Sequence, residues 1–109
     1  MLKRNQFEDL IYKKLLTKIK ESNASIIFHL AAQPLVRMSY LHPKNTFDIN
    51  FTGSLNILHA IKKIKKITTG IIITTDKVYD IKKNKIFKET DTLGGSDPYS
   101  ASKVCVEVL

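Results

Sequence analysis

At 109 residues, 43% hydrophobic and 26% charged, with four glycines and three prolines, the chain has the make-up of one small globular domain, and disorder is excluded as the default. Its longest uncharged apolar stretch, Ser25 to Val36, falls short of the roughly eighteen residues a membrane helix needs and is interrupted by His29, Gln33 and Pro34, which excludes a transmembrane segment. The formal net charge of +8 comes from sixteen Lys and two Arg against ten acids, but the fourteen Ile and six Asn point to an AT-rich coding drift, and the lysines at 62, 63, 65, 66 and at 82, 83, 85, 88 lack interleaved stacking aromatics, so they read as solvated surface and no nucleic-acid partner is expected.

From Gln6 to Glu21 the apolar residues Phe7, Leu10, Ile11, Leu15 and Ile19 recur at helical spacing, which predicts an amphipathic helix ended by Ser22-Asn23-Ala24. Ser25-Ile26-Ile27-Phe28-His29-Leu30 follows as a short run rich in β-branched residues, the pattern of a parallel strand buried on both faces. After a loop containing Pro34 and Pro43, Asn45 is placed to cap a long helix running to about Lys66, with Phe47, Phe51, Leu55, Leu58, Ile61 and Ile64 on one face. Gly70 breaks that pattern, and Ile71 to Thr75 reads as a second buried strand that turns polar at its C-terminal end. Ile81 to Thr92 reads as a long surface loop or small hairpin. Leu93-Gly94-Gly95-Ser96-Asp97-Pro98 then leads into a helix from about Tyr99 to the terminus, with Ala101, Val104, Cys105 and Val108 as its apolar face.

Helix, buried strand, helix, buried strand is the rhythm of a doubly wound, Rossmann-like parallel α/β sheet, whose ligands collect beyond the carboxyl ends of the strands. The two strand exits, Leu30-Ala31-Ala32-Gln33 and Thr75-Asp76-Lys77-Val78-Tyr79, are therefore the places to look for chemistry. The single cysteine, Cys105, has no internal partner, and His29, His42 and His59 stand apart from other ligand-type residues, so neither a disulfide nor a metal is expected. The N-terminal stretch has a basic start but no apolar core of an export signal, which implies a cytoplasmic location.

Tyr99 and Lys103 are four residues apart on the last helix and so lie on one face. A lysine ammonium beside a phenol favours the phenolate, the form that works as a general base. By itself the spacing, in a lysine-rich chain, fits a tyrosine packed on a lysine stem better. Twenty-four residues earlier, at the second strand exit, stands Thr75 with a hydroxyl, followed by one acid, Asp76, and one amine, Lys77.

Phe28-His29-Leu30-Ala31-Ala32-Gln33, Asn50-x-x-Gly53, Thr74-Thr75-Asp76-Lys77-Val78-Tyr79 and Pro98-Tyr99-Ser100-Ala101-Ser102-Lys103 together resemble the extended short-chain dehydrogenase/reductases and, within them, the nucleotide-sugar 4,6-dehydratases. The Asp76-Lys77 pair, with Ala31 to Tyr40 and Leu93 to Tyr99, is most similar to the branch acting on CDP-glucose; simple 4-epimerases usually lack that pair. The resemblance implies a lyase using NAD in an internal redox cycle. Tyr99, poised by Lys103 and aided by Thr75, would take the C4 hydroxyl proton during oxidation. Asp76 and Lys77 would be acid and base for loss of water across C5 and C6, and hydride return to C6 would give the 4-keto-6-deoxy sugar. Leu30, Ala31, Ala32, Gln33 and Ile49, with Tyr99 and Lys103, would line the cofactor; Gln33 and Thr75 would touch the sugar. Asn50 would support the hydrogen-bond network of the site, and Arg37 and Tyr40 stand where substrate contacts are conceivable. Asp9-Leu10 matches the family's adenine contact only loosely and reads equally as the first turn of a surface helix.

None of the glycines, at 53, 70, 94 and 95, forms the Gly-x-x-Gly-x-x-Gly turn that holds a dinucleotide pyrophosphate. The expectation is an internal fragment of an NAD-binding Rossmann-like domain, without the glycine-rich first unit and without the C-terminal nucleotide-sugar lobe. The parent enzyme would be a homo-oligomer, and the piece alone inactive, aggregation-prone or in need of a complementary chain.

Overall fold

A computed structural model describes residues 4–80 and 86–109, the side chains of residues 4–8 excepted. Its centre is a parallel pair of strands, β1 (Ile26–His29) and β2 (Thr69–Ile72). Ile26 lies opposite Thr69, Ile27 opposite Gly70, Phe28 opposite Ile71 and His29 opposite Ile72. The ladder continues one step at each end, from Thr68 N–H to the Ser25 carbonyl and from Ile73 N–H to the His29 carbonyl.

Side chains alternate across this sheet, and only one face is covered. Gly70 is the reason a helix can come close: a Cβ there would meet Ile61 Cδ1 at 2.6 Å, so Ile61 occupies the space over the strand. Gly70 therefore belongs to β2, which starts two residues earlier than the run of isoleucines suggests. Ile27, His29 and Ile72 share the covered face and are half-buried, whereas Ile26, Phe28 and Ile71 on the other face are 50%, 60% and 38% exposed. The expectation of strands buried on both faces is thus corrected: the composition permits burial, but among the described residues nothing packs on the second face. The exposed apolar surface expected of an incomplete sheet is present there, extended by Leu30 and Ile73.

Helix α1 (Arg4–Ser22) ends as predicted, with Ser22 Oγ donating to the Ile19 carbonyl at 2.7 Å and Asn23 in the left-handed region at φ 55°. Its stripe is shifted. Tyr12, Leu15, Leu16 and Ile19 are half-buried, while Leu10 and Ile11 are exposed. Tyr12 supplies the anchor, its ring stacked 4.8 Å from that of His59 with the Lys63 ammonium 5.5 Å from its centroid.

The predicted loop between β1 and the long helix contains α2 (Val36–Leu41). Asn45 is not the cap. α3 (Pro43–Phe47) opens on Pro43, whose fixed φ and missing N–H suit the first helical position. It runs into a π-helical turn, Asp48–Thr52, and then α4 (Gly53–Lys63), which ends where Ile64 becomes extended. Beyond β2 a 3-10 turn, Asp76–Val78, is capped by Thr75. Of the segment from Ile81 to Thr92, residues 81–85 lie outside the described residues. The remainder returns as a hairpin-like closure, with an antiparallel bridge between Tyr79 and Leu93 and the Phe87 ring stacked 4.9 Å from Tyr79.

α5 (Pro98–Glu107) corrects a further expectation. Its buried side is Tyr99, Ser100, Ser102, Lys103 and Val106, whereas Ala101, Val104 and Cys105 are half-exposed and Val108 is 71% exposed. α5 docks on α2, α3 and the π turn through small hydroxyl residues, and Ser39, Thr46 and Asn50 on the facing elements are as fully buried. Small polar side chains win the inward face because they let helices approach closely and each finds a hydrogen-bond partner. No described helix is long and apolar enough to cross a membrane.

Candidate active site

The helix bearing Tyr99 and Lys103 starts where it does because Asp97 caps it. Asp97 Oδ1 accepts from Ser100 N–H at 2.9 Å, Oδ2 accepts from Ser100 Oγ–H at 2.6 Å, and Pro98 follows at the first helical position. Partial burial works against the Asp97 charge, but the Ser100 hydroxyl, the Ser100 and Tyr99 amides and the nearby Lys77 charge outweigh it and hold the carboxyl below its usual range. A carboxyl lowered on folding stabilises the fold fully above its unfolded value of about 4, and the contribution is lost as pH falls through the folded value. Asp97→Ala should therefore lower stability by about 1 kcal/mol at pH 7. The gap to the parent chain should shrink in urea melts near pH 3; a gap independent of pH would contradict the capping role.

Lys103 is 4% exposed, and its Nζ donates to the Ile73 carbonyl at 2.7 Å, just past the end of β2. Burial pushes its pKa below the ordinary lysine value, opposed by the Glu107 carboxylate one turn on. Glu107 is itself hydrogen-bonded to the Thr74 hydroxyl. α5 also packs against the 3-10 turn of Asp76–Val78. The helix carrying Tyr99, which is 9% exposed, is thereby tied to the strand exit that carries Thr75, Asp76 and Lys77.

At that exit Thr75 Oγ1 donates to Asp76 Oδ1 at 3.1 Å and accepts from Lys77 N–H at 3.4 Å. Thr75 is half-buried, whereas Asp76 and Lys77 are on the surface. The burial that a lysine base requires is not provided at Lys77.

The first exit is joined to the same helix through Asn50, 1% exposed in the π turn. Asn50 Oδ1 accepts from Gln33 N–H at 2.8 Å, and Nδ2 donates to the Gln33 carbonyl at 3.2 Å and to Ser102 Oγ at 2.9 Å. Ser102 Oγ–H in turn donates to the Tyr99 carbonyl at 2.6 Å. Within the π turn the Asn50 carbonyl accepts from Ser54 Oγ–H at 2.6 Å. The Ser54 hydroxyl proton being committed there, its oxygen accepts from His29 Nε2–H at 3.0 Å, which fixes the imidazole tautomer. Burial, and secondarily the Lys103 charge, keeps the pKa of His29 below its ordinary value.

Of the expected cofactor residues, Leu30 is 70% and Ile49 40% exposed, Ala31 is exposed, and Ala32 and Gln33 are half-buried. The Gln33 side chain is spent within its own loop: Oε1 accepts from Leu35 N–H at 2.6 Å, while Nε2 donates to the Leu35 carbonyl at 3.2 Å and to Thr46 Oγ1 at 3.0 Å. Arg37 and Tyr40 are exposed on α2, and Asp9 and Leu10 are exposed on α1. No group of three or more metal-ligating side chains exists among the described residues. Ser54, Ser102, Asp97 and Glu107 are participants that motif reading passed over. Only Asp97, followed by Pro, carried a local signal, that of a helix cap.

The CDP-glucose 4,6-dehydratase of Salmonella typhimurium strain LT2 is 40% identical over 99 residues, covering 90% of this chain and 28% of that protein. The UDP-glucose 4-epimerase of Mycoplasma pneumoniae is 32% identical over 110 residues, 94% of this chain and 32% of that protein. Among solved structures, the UDP-glucuronic acid 4-epimerase of Bacillus cereus in complex with UDP-glucuronic acid and NAD superposes with a TM-score of 0.75 at 29% identity, covering 85% of this chain and 29% of that one. The chain thus spans less than a third of the length of these relatives, and the solved one shares over the matched part the Rossmann-like α/β arrangement described above. With residues 7–109 matched by the sequence model of the GDP-mannose 4,6 dehydratase family, the chain belongs to that family of nucleotide-sugar dehydratases and epimerases.

Proposed function

We propose that the chain carries the strand exits and catalytic helix of an NAD-dependent 4,6-dehydratase acting on CDP-glucose. The observation that carries this reading is the buried Lys103 ammonium on the Ile73 carbonyl, which ties the Tyr99 helix to the exit bearing Thr75, Asp76 and Lys77. The 40% identity to the Salmonella CDP-glucose 4,6-dehydratase supports the choice of substrate, and the Asp76-Lys77 pair favours dehydration over epimerisation.

The residues at the first exit fit the ribose and nicotinamide end of NAD: Leu30 and Ala31 are exposed, and small side chains at Ala31 and Ala32 leave the backbone open to close approach. The pyrophosphate cradle has no counterpart in this sequence. Leu30 to Gln33 and Ile49, with Tyr99 and Lys103, would hold the cofactor, which when bound accepts hydride from the sugar and returns it. Tyr99, assisted by the Lys103 ammonium one turn on, takes the proton of the C4 hydroxyl, and Thr75 Oγ–H, turned from Asp76 Oδ1 to the substrate, donates a hydrogen bond to the same oxygen. The C4 carbonyl acidifies the C5 proton. Lys77 removes that proton while Asp76 delivers one to the departing C6 hydroxyl. Lys77 can work as a base only when covered from water, so this pair acts with further protein or substrate over it. Gln33, with its side-chain amide committed to Leu35 and Thr46 and its N–H and carbonyl to Asn50, contributes to substrate binding by shaping the wall of the sugar site. Residues 1–109 form part of the NAD-binding domain in this reading.

The test is a chimera in which this chain replaces the matched segment of the Salmonella enzyme. It should convert CDP-glucose to a product with the alkali absorbance of a 4-keto sugar. Tyr99→Phe should lower oxidation at C4 by about 10²–10⁴-fold. Lys77→Ala should leave C4 oxidation measurable and block loss of water. A folded, NAD-binding chimera without turnover, or equal loss of both partial reactions in Lys77→Ala, would overturn the reading. The 109-residue chain alone should show no turnover with NAD and CDP-glucose.

A further inference from the structure

The hydrogen bonds around the two strand exits close into a ring. His29 Nε2–H donates to Ser54 Oγ, Ser54 Oγ–H to the Asn50 carbonyl, and Asn50 Nδ2–H to Ser102 Oγ. Ser102 is bonded along the chain to Lys103, Lys103 Nζ donates to the Ile73 carbonyl, and Ile73 N–H returns to the His29 carbonyl. The ring passes through β1, α4, the π turn, α5 and the residue after β2. His29 is its one imidazole.

We propose that His29 is a positioning residue for Lys103: as the neutral Nε2–H tautomer it closes the ring that seats α5 on both strand ends, and when it takes up a proton that seating loosens. The inference takes from the proposed function only the role of Lys103. Its test reads the ring itself, so failure here and failure of the dehydratase reading give different results.

Protonation leaves Nε2–H in place, so the hydrogen bond to Ser54 survives. What changes is charge: a half-buried imidazolium would stand in the field of the buried Lys103 ammonium. The other charged groups on the packed elements do not relieve this. Glu107 on α5 is hydrogen-bonded to Thr74 and acts on Lys103, Asp48 in the π turn is ion-paired with Lys44, and β2 carries no charge. On α4, His59 and Lys63 lie against Tyr12 of α1, and Lys62 is exposed. The folded chain thus binds the His29 proton less readily than the unfolded chain. Stability and the seating of α5 are full above the ordinary imidazole value of about 6.5 and decline as pH falls below it.

The experiment is hydrogen–deuterium exchange of the full 109-residue chain at low concentration, read by mass spectrometry on peptides covering α5, between pH 7.5 and 5 and corrected for intrinsic exchange. Protection of α5 should fall severalfold over this range. His29→Gln, which keeps an N–H donor but cannot titrate, should retain most of the protection seen at pH 7.5 and lose its pH dependence. His29→Leu should lower protection at every pH. Lys103→Met should shrink the pH dependence without abolishing it, because burial alone also opposes the imidazolium. Wild-type pH dependence retained in His29→Gln, or undiminished in Lys103→Met, would overturn the proposal, as would α5 protection that ignores pH in the parent chain.

Discussion

Gly95→Ala should be among the most damaging single-methyl additions in the chain. A Cβ at Gly95 would sit 2.4 Å from the backbone nitrogen of Ala101 and 2.7 Å from both Ala101 Cα and the Ser100 carbonyl carbon. These are backbone atoms of the first turns of α5, held by Ala101 N–H on the Asp97 carbonyl at 2.8 Å and by the Asp97 cap. No side chain can swing away, so either the turn of residues 93–97 or the helix must move. The expected cost is about 3 kcal/mol, the upper end of the range for overpacking a dense site. Gly53→Ala is the contrasting control: nothing lies within 4 Å of its added carbon and its backbone is helical, at φ −59° and ψ −46°. It should stabilise the chain by about 0.5–1 kcal/mol. Urea midpoints of the two variants should lie on opposite sides of the parent, and a Gly95→Ala midpoint at or above the parent's would contradict the close approach.

Gly95 also shows where sequence reading stops. A Gly-Gly pair before Asp-Pro signals a turn, and the turn is there, but Gly95 has no positive φ. The demand for glycine comes from a helix backbone six residues on, which no local pattern records. The order of helices and strands was legible because it is written in short-range periodicity. The parallel pairing followed from two apolar runs separated by a helix. Which strand faces are covered was not legible, since Ile26 and Ile27 are the same residue type and only the position of α4 sends one in and leaves the other out.

The site divides in the same way. Tyr99 and Lys103 sit four apart on a real helix, and Thr75, Asp76 and Lys77 sit at a real strand exit, as the motifs suggest. The π turn at Asp48–Thr52 left no mark, because one extra residue in a helical turn barely disturbs a three-and-four spacing. Yet this turn sets Asn50 between Gln33 and Ser102. The buried side of α5 was misjudged for a related reason. Hydrophobicity ranks Ala101, Val104, Cys105 and Val108 as inward, but each serine on the opposite side has a committed acceptor and so loses little by burial.

That committed network makes Asn50 the second place where a small change should have a large effect. Asn50→Ala removes an acceptor from the half-buried Gln33 N–H and a donor from the fully buried Ser102 hydroxyl, along with the bond to the Gln33 carbonyl. An orphaned buried polar group costs about 1–3 kcal/mol. The Gln33 N–H is left without its partner while Ser102 Oγ–H keeps the Tyr99 carbonyl, so the loss should be about 2–3 kcal/mol, large for a domain whose total stability is on the order of 5–15 kcal/mol or less. Ser102→Ala keeps Gln33 satisfied and should cost about 1 kcal/mol. Because the two side chains share one hydrogen bond, the double variant should fall short of the sum by about 1 kcal/mol. Strict additivity in urea melts would mean that Asn50 and Ser102 act separately. If the shortfall appears, then the first strand exit and the helix of Tyr99 are fastened to each other through a single carboxamide. The hydroxyl of Ser102 then holds the carbonyl of Tyr99 at one end of that link while Lys103 holds β2 at the other.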